Sequence, residues 1–182
     1  MKTKINICVC FFALFLSISC TQKENKIDII EFTFFNSKKN SETSFLINLQ
    51  KEYLLISNSA IDIKIPRSPD EISDSNEYTK TIKLENEIIE LSNNNIKSFS
   101  DEIDNFTNED FVSKTENTLD GGAFIINIIY KNKDFKNITR VNNFTENHTK
   151  LFYQILKIVS ENSTSQNNKI LINEELSKFN IE

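Results

Sequence analysis

The chain has 182 residues, a formal net charge of −5, a single histidine, three cysteines and no tryptophan. Its 26 carboxylates against 21 bases disfavour nucleic acid as a partner, because neutralising phosphates takes clustered Lys and Arg. One histidine excludes a multi-histidine metal site. Cys8, Cys10 and Cys20 all lie in the first twenty residues, so the rest of the chain has no thiolate for a disulfide, a redox pair or a zinc cluster.

Residues 1–20, MKTKINICVCFFALFLSISC, begin with Lys2 and Lys4. An apolar run follows from Ile5 to Leu16, broken only by Asn6, and Ser17-Ile18-Ser19 leads into Cys20. A basic start, a short apolar stretch and small residues form an export signal, whereas a membrane span needs about 20 apolar residues. The segment resembles the N-terminus of bacterial lipoprotein precursors. Ser19 and Cys20 match the last two positions of a lipobox, Ile18 is compatible, and Ser17 stands where Leu is usual. The resemblance implies cleavage before Cys20, a diacylglyceryl thioether on its sulfur and acylation of its new amine. It divides the chain into a signal peptide (1–19), a lipidated cysteine with a polar tether (20–26) and one domain (27–182). No Asp follows Cys20, which favours the outer membrane as the expected location in the cell envelope.

One myristoyl chain gives only marginal membrane affinity, on the order of 10⁴ M⁻¹, so three acyl chains on one residue would anchor the protein durably. The tether TQKENK spans roughly 20 Å when extended at about 3.4 Å per residue, which would hold the domain close to the bilayer. Once Lys2 and Lys4 are removed from the 21 bases, 19 remain against 26 acids, a formal charge of −7. Such a body gains nothing from an anionic membrane surface, so the lipid must do the anchoring.

Along the domain, IDIIEFTFF (27–35) alternates Ile30, Phe32 and Phe34 with Glu31, Thr33 and Phe35 and predicts a strand. Residues 36–44 read as a polar loop. Further strands are expected at 45–49, 53–56, 61–65 and 78–83, with Pro66 and Pro69 ending a ladder in an acidic surface loop. Leu84, Ile88 and Leu91, then Ile96, Phe99, Ile103 and Phe106, recur at helical spacing. They predict one long or two short helices over 85–106, with Ser92-Asn93-Asn94-Asn95 as a kink or break. Residues 107–118 read as a loop. A hairpin is expected from 123–130 and 134–141 around Lys131-Asn132-Lys133. A helix beginning at Asn143-Phe144-Thr145 carries a Leu151, Phe152, Ile155, Leu156 and Val159 stripe, and a short helix at 173–179 closes the chain. The pattern implies an α+β domain with a largely antiparallel sheet and two main helices packed on one face.

Candidate chemistry is sparse. Asp120-Gly121-Gly122 holds both glycines of the chain and suits a turn, a bulge or a close backbone approach; a ligand-binding carboxylate at Asp120 is the alternative. No phosphate-loop, GxSxG or HExxH pattern occurs. His148 is placed in the first turn of the C-terminal helix, off its apolar stripe and facing solvent. Two acidic groups, Asp70/Glu71/Asp74/Glu77 and Asp101/Glu102/Asp104/Glu109/Asp110, lack the glycine and terminal Glu spacing of a calcium loop and read as solvated faces. The expected function is therefore an envelope lipoprotein with a binding or structural domain, non-enzymatic and without cofactor. It would meet the membrane through lipid on Cys20, with a possible protein partner. An inhibitor or immunity-type lipoprotein, capping a secreted toxin or hydrolase through its acidic surface, is the alternative. A hydrolase built on carboxylates alone stands last.

Overall fold

Strand β1 (Ile27–Asn36), after a bulge between Ile27 and Ile29, divides its side chains between two faces with a period of two, and its neighbours follow that division in register. The computed structural model describes residues 26–36, 41–57, 63–66, 79–82, 84–116 and 122–179. Beside β1 lie β2 (Ser41–Asn48), β3 (Tyr53–Ser57), β6 (Glu87–Glu90), β7 (Lys114–Thr115), β8 (Gly122–Tyr130) and β9 (Phe135–Val141), in the spatial order β6-β3-β2-β1-β8-β9-β7. Every pairing is antiparallel except the short parallel one of β7 with β9. Between β3 and β6 the chain makes a separate two-stranded ladder, β4 (Ile63–Pro66) with β5 (Thr79–Ile82). Helix α1 (Asn93–Asp104) carries the chain away from the β6 edge, and α2 (Glu146–Asn162) and α3 (Gln166–Leu176) follow β9.

The register puts Phe32 opposite Phe45 on β2 and Ile126 on β8, all inside. The residues one step away, Glu31, Leu46 and Asn127, form a row on the other side. The inner face and all three helices share one apolar cluster, in which Phe99 and Ile103 come from α1, Phe152 and Ile155 from α2, and Leu171 and Ile172 from α3. Phe32 stacks on Phe152 with ring centroids 5.1 Å apart and planes 6° from parallel, and Phe124 lies tilted 4.9 Å from Phe32. This is the α+β architecture expected, with helices on one side of a mostly antiparallel sheet.

Several elements differ from the sequence reading. Residues 87–90 are strand, and only 93–104 are helix. A stretch this short cannot be told apart as helix or strand by its apolar spacing alone. Pairing with β3 decides the matter, turning Ile89 inward and leaving Ile88 67% exposed. The polar tract 92–95 starts the helix rather than kinking it. Ser92 Oγ accepts from the Asn95 N–H (3.2 Å) and Asn95 Oδ1 accepts from the Ser92 N–H (3.1 Å), a reciprocal cap. Residues 41–44 extend β2 into the expected loop, with the Thr33 and Ser44 hydroxyls 3.0 Å apart across the pair. Within 107–116, Lys114–Thr115 pairs with β9. The last helix begins at Gln166, well before residue 173, because Ser165 Oγ caps the Asn168 N–H (3.2 Å). The hairpin lies where expected, its turn closing through Lys133 at φ 71°.

Two truncations test this one-sided core. Phe32→Ala should lower unfolding free energy by about 3–5 kcal/mol, whereas Ile88→Ala should change it by less than about 0.5 kcal/mol. Urea denaturation of both variants measures this, and equal losses would contradict the assignment of faces.

Candidate functional site

Gly122 opens β8, and a Cβ placed there would lie 2.9 Å from Phe34 Cε2, so this glycine serves close packing against an aromatic ring. Cys20, Asp120 and Gly121 lie outside the described residues, as do Asp70, Glu71, Asp74 and Glu77. The second acidic group does not converge. Asp101 pairs with Lys97 on its own helix, Glu109 lies 2.8 Å from Lys114, and Asp110 is buried. Among the described residues no three His, Cys, Asp or Glu side chains are grouped to hold a metal ion.

His148 does not face solvent; it is fully buried, the first-turn residue reciprocating the cap of α2. Its Nε2 lies 2.9 Å from the Asp110 carbonyl oxygen, which can only accept, so Nε2 carries the proton. Nδ1 is then the acceptor for the Thr145 N–H (3.3 Å), with Thr145 Oγ1 2.9 Å away. Burial lowers the His148 pKa, and the Arg140 charge lowers it further. Asp110 is opposed by its own burial, but hydrogen bonds from Thr145, Asn147 and Thr107 hold its carboxyl well below the usual range. Arg140, also fully buried, donates from Nη1 to Asn143 Oδ1 (3.0 Å) and from Nη2 to the Glu109 carbonyl. These groups tie the 107–111 turn to β9 and to the start of α2. Both histidine nitrogens are engaged within the protein, so the arrangement holds a loop and offers no free base to a substrate.

A second polar cluster fastens the α2–α3 connection to β6. Glu87 accepts from Ser163 Oγ, from Thr164 N and Oγ1, and from Asn168 Nδ2 (2.8 Å). Asn168 is itself fully buried and accepts from the Glu85 N–H at 2.8 Å. Burial works against the charged form of Glu87, yet these donors bring its pKa down to about 2. A cavity of about 430 Å³ lies near the start of β1, lined by Lys26, Ile27, Leu49, Ile96, Ser100, Asp104 and Lys131. Ser100 Oγ donates back to the Ile96 carbonyl (3.2 Å), so its proton is committed within the helix.

The most distinctive surface is the outer face of the sheet. The apolar cluster joins the helices to the inner face, and the outward positions carry Ile29, Leu46, Leu55, Ile88, Ile125 and Phe135 among Ser, Thr and Asn. Four large apolar side chains there are well exposed: Phe35, Ile88, Ile125 and Phe135, the last at 56%. Near the centre, Glu31 Oε2 accepts from Asn127 Nδ2 (3.0 Å), and Asn127 Oδ1 accepts from Asn137 Nδ2 (2.7 Å). This partly apolar face is the candidate binding site. Sequence reading separated Glu31 from Phe32 but did not select it, because its significance depends on what β2, β8 and β9 bring alongside. Comparisons with known protein families, with curated proteins and with solved structures find no match for this chain.

The two buried clusters make the domain acid-sensitive. The Glu87 pKa is lower in the fold than its ordinary 4.5, so its stabilisation is complete above that pH and is lost as pH falls towards about 2. His148 is held neutral, so the unfolded chain takes up its proton first and stability also falls as pH drops below about 6.5. Urea midpoints measured from pH 7 to pH 3 should fall steadily. Glu87→Gln should be less stable at pH 7 and show a shallower acid decline; an unchanged slope would refute the assigned role of Glu87.

Proposed function

We propose that this chain is an envelope lipoprotein, anchored through acylated Cys20, whose domain is a protein-binding module working through the outer face of its sheet. The observation that carries the binding reading is the concentration of exposed Phe35, Ile88, Ile125 and Phe135 on the face opposite the one whose core the described helices share. Apolar side chains gathered on one face and rimmed by polar ones support an interaction site. The engagement of His148 inside the fold speaks for binding over histidine-dependent catalysis.

The anchoring reading rests on the N-terminal segment and on the lack of any cysteine after Cys20 with which it could pair. Folded structure begins within a short reach of that residue, since β1 starts at Ile27. The Lys26 carbonyl already accepts from the Lys131 N–H at 2.8 Å. Six residues would then separate the lipid from the central strand of the sheet.

Mass spectrometry of the mature protein should find an N-terminal Cys20 bearing acyl chains. Cys20→Ser should move the protein from the membrane pellet to the soluble fraction. A mature chain with an unmodified N-terminus elsewhere, or a Cys20→Ser protein still membrane-bound after a salt wash, would refute the anchor.

A further inference from the structure

The outward positions that the register pairs on β1, β2, β3, β6, β8 and β9 carry the charged residues Glu31, Glu42 and Glu90 and no lysine or arginine, and the residue at the β1 bulge, Asp28, is also acidic. On β9, Lys136 belongs to the register row of Ile128, on the opposite side. A face this apolar with charges of one sign sets a condition on what covers it. Building on the binding reading above, we propose that the partner is a protein presenting an arginine or lysine within an apolar surface, and that Glu31 is the counter-charge for that side chain.

Glu31 is placed for such a contact. It lies between Leu46 on β2 and Asn127 on β8 and is half-buried in the sheet surface. The Asn137–Asn127–Glu31 hydrogen-bond chain steadies Oε2, and among the described residues Oε1 has no hydrogen-bond donor. A guanidinium or ammonium arriving there would meet a carboxylate already positioned and already partly stripped of water. Charge-assisted contacts are strongest under these conditions. The apolar neighbours would exclude water around the pair once the partner is seated, the arrangement found at interface hot spots.

The alternatives fit the charge less well. A second copy would set acids against acids on a chain whose proposed mature form carries −7. Residues 67–78 of the chain itself bring Asp70, Glu71, Asp74 and Glu77 against Arg67 alone, so they too would add like charge. Area also points to charge. Five strand spacings of about 4.8 Å by roughly 20 Å along β1 give a projected face on the order of 500 Å². Stable interfaces cover about 800 Å² per partner, so apolar contact alone would leave this one weak, and a central ion pair would supply specificity and fast association.

The test uses the full-length protein in its own cells, with a photoreactive phenylalanine analogue at position 55 on the outer face or, as control, at position 157 on α2. The expected result is an adduct from position 55 only, with Lys or Arg in the crosslinked peptide. Its yield should fall about tenfold or more with Glu31→Lys, and fall with added salt in isolated envelopes. Glu90→Lys serves as the second variant should Glu31→Lys fail to fold, as judged by circular dichroism. An adduct to an acidic surface, to a second copy or to residues 67–78 overturns the basic-partner inference while leaving the outer face a binding surface. So does an adduct whose yield ignores both salt and the charge reversals. No adduct from position 55 above that from position 157 overturns the binding reading itself.

Discussion

The domain depends on one constraint, the alternation of side chains along β1 from Ile29 to Phe35, past the bulge near its start, in a sheet whose helices share the core of one face. Phe32 points into the core and meets Phe124 and Phe152. Glu31, one residue earlier, points away and meets Leu46 and Asn127. A one-residue slip of β1 would exchange the two, burying a carboxylate among aromatic rings and exposing phenylalanines. The energetic penalty for that exchange fixes the register against both neighbours, and through them the composition of the outer face.

The fold spends its scarce polar chemistry on joints. Glu87 with Asn168 secures the turn between the last two helices to the edge strand. Asp110, His148 and Arg140 secure the loop that returns from α1 to β7. Each is a place where the chain leaves regular structure near the core, and buried backbone groups there need partners that the ladders do not supply. The single histidine reads in the sequence as a solvent-facing residue of the first turn of a helix. Its surroundings make it a neutral connector between a helix cap and a carbonyl.

Binding and anchoring fit together physically. A short tether from the membrane would hold the domain near the site of any envelope or secreted partner and raise the local concentration of that encounter. A face with an acidic centre would favour basic partners during approach as well as in the docked complex.

Much of this was legible in the sequence, because alternation and helical periodicity are local. The β1 strand, the β8–β9 hairpin, the α2 stripe and the α+β class follow from neighbouring residues alone, as does the division of β1 into a Phe32 side and a Glu31 side. Tertiary structure decided the rest. Strand β6 exists because β3 offered it a ladder, although Leu84, Ile88 and Leu91 read equally well as helix. His148 is buried because the 107–111 turn, some forty residues away, folds over it. The outer face is assembled from six strands distant in sequence, each contributing two to four outward residues, so only their pairing reveals that its charges are all acidic. Periodicity says which side a residue takes along its own strand; hydrogen bonding between strands determines what stands beside it.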